Sequence, residues 1–360
     1  MKEKGAILFL FFLLILNSCE EPYEVNDLDC EKKLLVVNGE INNSGNPFTI
    51  ILSYATPFEG YQFNKVSGAK VVLYDNNGNS EILKEIGLGV FRTNGFESKI
   101  NIGSSYRLQV QLGKTFYESI KTKLEEITYY DTIYAEPGEY KWVEKGVYGE
   151  IIKKSYKGIN IFGDITFNNV ENAYIKINNT VIWQTTRMFS PPGAIPSLVY
   201  YRSIMNVDNL PNVKSAIKYA DKLVIKKHKI CFIPYIEDES QGIDSLFLGP
   251  YQNNGWIIIS KLQRISKEAY EYYKSANEQL GASEQYFDPV PYQLKGNIIC
   301  KSDTNQQVFG LFNVYSYSLK MKAYYYNPSS TKVIEREVTD PGPTINEESR
   351  TGPFPYWIHF

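Results

Sequence analysis

Tyr106-Arg107-Leu108-Gln109-Val110-Gln111-Leu112 alternates apolar and polar side chains without a break. Successive side chains of an extended strand point to opposite faces, so this heptapeptide has one face for a core and one for water. Gly103 precedes the run and Gly113 closes it, each suited to a turn. The reading is a half-buried strand of an antiparallel sheet.

Working back toward the N-terminus, the same grammar repeats. Leu34 to Val37, Phe48 to Ser53, Ala69 to Tyr74, Glu81 to Ile86 and Gly89 to Arg92 are strand-sized runs punctuated by Gly or Asn. Asp75-Asn76-Asn77-Gly78-Asn79 supplies residues that tolerate positive φ, as a tight hairpin requires. Asp75, Asn77 and Asn79 also have the look of calcium ligands. The glycine is misplaced for an EF-hand loop, however, and the twelfth position is Ile86, so the turn is the better reading. Short strands at this spacing predict an immunoglobulin-like sandwich over residues 34–125, and the order of its motifs resembles the carboxypeptidase-regulatory type.

Beyond residue 125 a larger β-rich domain with one or two helices is expected over residues 126–338. Tyr129 to Tyr134, Ile159 to Phe167, Leu223 to Cys231, Gly296 to Cys300, Val308 to Tyr315 and Leu319 to Tyr326 read as strands. Ala173 to Ile177 and Thr180 to Thr185 read as two more, joined by a hairpin at Asn178-Asn179. Glu136-Pro137-Gly138-Glu139 is expected to be a loop, as is the proline-rich stretch Ser190 to Pro196. Val213 to Leu223 suggests a short helix. A clearer one spans Lys267 to Leu280, with Ser266 as N-cap, Glu268 in the first turn and Gly281 past the end. Its stripe of Ala269, Tyr273, Ala276 and Leu280 predicts packing on a sheet. Tyr270, Tyr272 and Tyr273 offer stacking faces, Tyr273 being the best candidate for the core. Residues 339–360 form a proline-rich tail with an aromatic terminus.

Composition narrows the function. The chain has 38 basic and 40 acidic residues, a net charge of −2, and no basic block, so nucleic acid is not an expected partner. Its 29 tyrosines and 19 phenylalanines suit pleated sheets. Two histidines, His228 and His359, provide little for metal sites or catalytic triads, and His228 reads as solvated among lysines. The four carboxylates Glu237, Asp238, Glu239 and Asp244 suggest a solvated loop rather than a catalytic cleft. No enzyme activity, metal or cofactor is expected. Cys231 and Cys300 end apolar runs, and two readings stand: a Cys231–Cys300 disulfide, or two buried thiols.

The N-terminus adds an address. Lys2 and Lys4 precede an apolar run from Ala6 to Leu16, of the size of a signal-peptide core and shorter than the ~20 residues that span a bilayer. Leu16-Asn17-Ser18-Cys19 then has the form of a lipobox, with Cys19 receiving the lipid. Residues 1–18 are thus expected to be a lipoprotein signal peptide and 19–33 a polar tether. Glu20 and Glu21 resemble an export signal to the outer face of the outer membrane, although a periplasm-facing anchor is the alternative.

Taken together, Leu35-Val36-Val37-Asn38-Gly39, Gly68-Ala69-Lys70-Val71, Ser266 to Tyr273, Phe287-Asp288-Pro289-Val290-Pro291, Gly296-Asn297-Ile298 and Val308-Phe309-Gly310-Leu311-Phe312 resemble, behind the lipobox, a Bacteroidota lipoprotein family known as domain of unknown function 4249. Cysteines common near the C-terminus of that family are missing here. The resemblance implies an outer-membrane lipoprotein, often paired with a TonB-dependent receptor barrel, and supplies no catalytic residues. A non-enzymatic transporter accessory is the expected function. An independent carbohydrate- or peptide-binding lipoprotein is the alternative.

Overall fold

The computed structural model describes residues 34–55, 64–145, 150–168, 170–188, 197–205, 211–234, 256–280, 294–327 and 332–338. The chain is mainly β, with a single α-helix among the described residues.

The first ten strands are β1 (Leu35–Asn42), β2 (Thr49–Tyr54), β3 (Asn64–Lys65), β4 (Lys70–Asp75), β5 (Ser80–Ile82), β6 (Lys84–Gly87), β7 (Val90–Arg92), β8 (Ser105–Leu112), β9 (Thr115–Ser119) and β10 (Thr122–Lys123). There follow β11 (Thr132–Lys145), β12 (Ile151–Phe167), β13 (Tyr174–Met188), β14 (Ser197–Met205), β15 (Asn212–Ser215), β16 (Ile217–Tyr219), β17 (Lys222–Pro234) and β18 (Trp256–Ile265). Helix α1 (Lys267–Leu280) precedes β19 (Ile298–Cys300), β20 (Phe309–Asn327) and β21 (Lys332–Glu337).

Among the described residues these strands form three sheets. The largest runs β14-β13-β18-β20-β1-β2-β7-β6, with β15, β21 and β3 at its margins. A second holds β19-β9-β8-β4-β5 with β10, and a third β11-β12-β17-β16. The first core lies between the large sheet and the second, where Leu35, Val37, Ile50 and Leu52 meet Val71, Leu73, Tyr106 and Leu108. As the alternation of residues 106–112 predicts, Tyr106, Leu108 and Val110 are buried. The second core lies between the large sheet and the third, where Ile159, Ile161 and Ile165 meet Ile175, Ile177 and Leu262.

The expected sandwich over 34–125 is closed by strands from far along the chain. β1 pairs in parallel with β20, from Val36 opposite Phe309 to Asn42 opposite Tyr315. β19 pairs with β9 in the other layer. A parallel neighbour needs a crossover, and here the crossover contains the second core except for Tyr324 of β20 and the flanking Val333.

β20 serves both cores from one face. Phe312 and Val314 enter the first core and Tyr324 the second. Between them Ser316 donates to the Glu126 carbonyl at 3.1 Å and Ser318 to that of Thr128 at 2.6 Å. The connection leaving the first core is thus fastened to the strand that joins the two.

Three local expectations are corrected. Glu136-Pro137-Gly138-Glu139 lies inside β11, with Pro137 opposite Ile159. β11 is an edge of its sheet, where a residue without an N–H removes no ladder bond. Asn178-Asn179 makes no hairpin: β13 runs straight through it, and buried Asn179 donates to the Ile230 carbonyl at 3.0 Å and accepts from Ser260 Oγ at 2.8 Å. Val213 to Leu223 is extended apart from a turn at Ala220-Asp221, with β15 paired to β13 and β16 to β17. Sheet pairing there overrides a weak helical preference.

Candidate functional site

Helix α1 starts as its sequence specifies. Ser266 Oγ accepts the backbone N–H of Ala269 at 3.2 Å, the N-cap geometry. Lys267–Glu271 and Lys274–Glu278 pair at 3.7 and 3.9 Å on the solvent side, contributing a few tenths of a kcal/mol each at most. Toward the protein, Ala269 is buried, and Tyr270 packs on Tyr174 with centroids 5.0 Å apart. Leu280 ends the predicted stripe but is exposed.

The helix packs with Ile265, Leu311 and Tyr315 on the outer face of the large sheet. Around these residues that face is polar. Register sets Glu40 opposite Asn313, Asn42 opposite Tyr315, Tyr317 opposite Gln263, and Gln263 opposite Lys176. The Tyr315 hydroxyl donates to Glu40 at 3.0 Å and accepts from Asn42 at 3.1 Å and from Lys261 at 3.2 Å. Lys261 Nζ also lies 4.1 Å from the Tyr317 ring centre, and Lys176 Nζ lies 4.0 Å from that of Tyr273, both at cation–π distance.

Burial shapes the ionisation of this group. It lowers the pKa of Lys176 and Lys261, and the carboxylate of Glu40 opposes that shift in both. It raises Tyr315 and Tyr273, with Glu40 adding to each increase. The phenols therefore stay protonated and act as hydrogen-bonding groups.

Several amide atoms here lack hydrogen-bond partners: both side-chain atoms of Asn313, Oε1 of Gln263, Oδ1 of Asn178 and Oδ1 of Asn277. Gln263 and Asn313 are each only 1% exposed. The Tyr273 hydroxyl lies near enough to Asn313 to affect its own ionisation, but not in a regular hydrogen bond. An unmatched buried amide group costs about 1–3 kcal/mol, so this concentration is unfavourable for a purely structural interface. The half-buried ammonium groups of Lys176 and Lys261 and the rings of Tyr272, Tyr273 and Tyr317 are the parts of this patch open to a polar partner.

The sequence profile of the family described as Domain of unknown function (DUF4249) matches residues 20–320. The chain belongs to the DUF4249 family. No curated protein and no solved structure matches it. The DUF4249 match takes in the first core, the second core up to but not including Tyr324, and α1, and stops inside β20.

Of the residues singled out from sequence, Tyr270, Tyr272 and Tyr273 reach this patch as half-buried neighbours of its core. Cys19 lies outside the described residues, as do the loop at 190–196, the carboxylates at 237–244 and the aromatic terminus. Cys231 and Cys300 are buried thiols in different cores, so the disulfide reading is corrected. Cys300 Sγ instead donates to Gln306 at 3.4 Å. His228 is half-buried rather than solvated, with Nε2 2.7 Å from Asn212 Oδ1, and burial pushes its pKa down to about 4. Asp75 closes its turn by accepting from the Asn77 and Asn79 backbones, each at 2.8 Å. Among the described residues no group of three His, Cys, Asp or Glu side chains is placed to hold a metal.

Glu40, Lys176, Lys261, Gln263 and Asn313 were not legible as a site. Their one signal is alternation: Lys261 and Gln263 interrupt the apolar β18 on one face, and Asn313 does so in β20. Such positions ordinarily face water.

Proposed function

We propose that the protein is a lipid-anchored, non-enzymatic partner of an outer-membrane transporter of the TonB-dependent type, held on the outer face of that membrane through Cys19. The observation that carries this reading is Leu16-Asn17-Ser18-Cys19 directly behind the apolar run, with Glu20 and Glu21 following. The lipoprotein family that the sequence resembles points the same way. The body beyond the tether contributes broad sheet surfaces suited to contact with another protein. Metabolic labelling with a radioactive fatty acid, combined with protease treatment of whole cells, tests the anchor and its face. Label on the native chain but not on Cys19→Ala, with digestion from outside, is expected; an unlabelled native chain contradicts it.

A second reading is binding of a carbohydrate or peptide. It is favoured by the half-buried rings of Tyr272, Tyr273 and Tyr317 beside Lys176 and Lys261, because sugars and peptides stack on aromatic faces and accept hydrogen bonds from ammonium groups. A glycan and peptide array probes it. Specific binding that Tyr317→Ala abolishes is expected, and an empty array counts against it.

A further inference from the structure

The sheet β11-β12-β17-β16 differs in charge from the rest of the chain. Its strands hold ten lysines against the four carboxylates Glu136, Glu139, Glu144 and Asp164, a formal +6 within a chain of −2. Within the sheet Lys227 pairs with Glu136 at 2.8 Å, Lys226 with Asp164 at 3.5 Å and Lys141 with Glu139 at 3.0 Å. On the face opposite the second core, the described side chains Lys222, Lys226, Lys227 and Lys229 stand against Glu136 and Asp164, a surplus of two that leaves Lys222 and Lys229 outside these pairs.

One face of this sheet closes the second core through Ile133, Ile159, Ile161 and Ile165. The opposite face carries aromatic pairs. Tyr134 lies 5.8 Å from Phe162, and Tyr140 stacks on Phe232 at 5.6 Å. Lys227 Nζ is 5.0 Å from the Phe162 ring centre and Lys229 Nζ 5.5 Å from that of Phe232. Gly158 lets the Phe232 ring lie across the strand, since a Cβ there would approach the ring to 2.8 Å. The result is a face on which the half-buried rings of Tyr134, Tyr140 and Phe162 surround a buried Phe232 and are edged by ammonium groups, on the side of the large sheet opposite α1.

We infer that this face rests on the anionic headgroup layer of a membrane, which orients the protein with the α1 patch turned away from the bilayer. Charge complementarity selects this occupant, because lysines near an anionic bilayer are attracted individually, and tyrosine rings favour the headgroup region. The distance is suitable too: a tether over residues 19–33 reaches at most ~50 Å when extended. The inference rests on the anchored reading for its biological setting, while the surface is testable without the lipid.

A chain starting at residue 20 keeps every described element and carries no fatty acid. Its flotation with phosphatidylcholine vesicles, with and without phosphatidylglycerol, measures the surface itself. Binding that requires phosphatidylglycerol and disappears at high salt is expected. Lys227→Glu with Lys229→Glu should weaken it by about tenfold or more, whereas Lys70→Glu with Lys99→Glu, on exposed positions elsewhere, should leave it intact. Circular dichroism checks each fold, and Lys229→Gln alone, giving a smaller loss in the same direction, serves if the double variant unfolds. Equal binding to both vesicle types, equal losses in the two double variants, or stronger capture by soluble dextran sulfate than by the vesicles would overturn the inference. Vesicle binding together with an unlabelled Cys19 would defeat the anchor alone.

Discussion

The carbonyl oxygen of Val37 occupies the space that a side chain on Gly310 would need. The two residues face each other across the parallel β1–β20 pairing, Gly310 has φ +90, and a Cβ on it would lie 2.0 Å from that oxygen. Gly310→Ala should therefore lower stability by at least about 2 kcal/mol, through backbone strain plus displacement of β1. Gly78, with φ +87 but open space around it, is the control, and Gly78→Ala should cost about 1 kcal/mol. Urea unfolding of both variants measures the difference, and equal midpoints would show that the β1–β20 joint is looser than described.

Beneath α1, two substitutions should act in opposite senses. Tyr315→Phe removes the hydroxyl shared by Glu40, Asn42 and Lys261, and should destabilise by about 1–2 kcal/mol. Asn313→Leu removes two unmatched amide atoms, and should be neutral or stabilising to within about 1 kcal/mol. Thermal unfolding separates them, and a large loss in Asn313→Leu would mean that its amide is satisfied in solution.

The half-buried imidazole of His228 gives a pH dependence of known sign. The unfolded chain takes up this proton near the ordinary value of 6.5, while the folded protein does not until about 4. Between these values the unfolded state binds more protons, so this group's contribution is full above pH 6.5 and declines as pH falls toward 4. The loss is about 3 kcal/mol at most. Urea midpoints at pH 7 and pH 5 should differ less in His228→Gln than in the native chain, and an unchanged difference would rule out His228 as a source.

Cys231 and Cys300 lie in separate cores, so the folded protein should keep both as thiols. Alkylation in denaturant followed by peptide mass spectrometry should find both modified without prior reduction. A Cys231–Cys300 linked peptide would contradict the two-core arrangement.

The elements that could be read from sequence are those signalled by neighbours in the chain. The Asp75–Asn79 turn and the Ser266 cap of α1 draw their contacts from within a few residues, and the 106–112 strand and the body of α1 carry their periodicity in their own sequence although their packing partners are distant. Pro137 and Asn178-Asn179 misled because local rules describe them as turn formers, whereas an edge position and a buried hydrogen-bond network make them strand residues. The β1–β20 pairing joins residues separated by most of the chain, and no local pattern encodes it. The α1 patch was hidden for a related reason: Glu40, Lys261 and Asn313 come from three distant strands and resemble ordinary solvent-facing positions until the sheet and helix enclose them.

The proposed function is tested most directly by purifying the tagged full-length protein from detergent-solubilised membranes of its own cells. A β-barrel transporter eluting with it in near-equal amount, and lost when Cys19→Ala prevents anchoring, is the predicted result. Elution of the anchored protein alone would contradict the account.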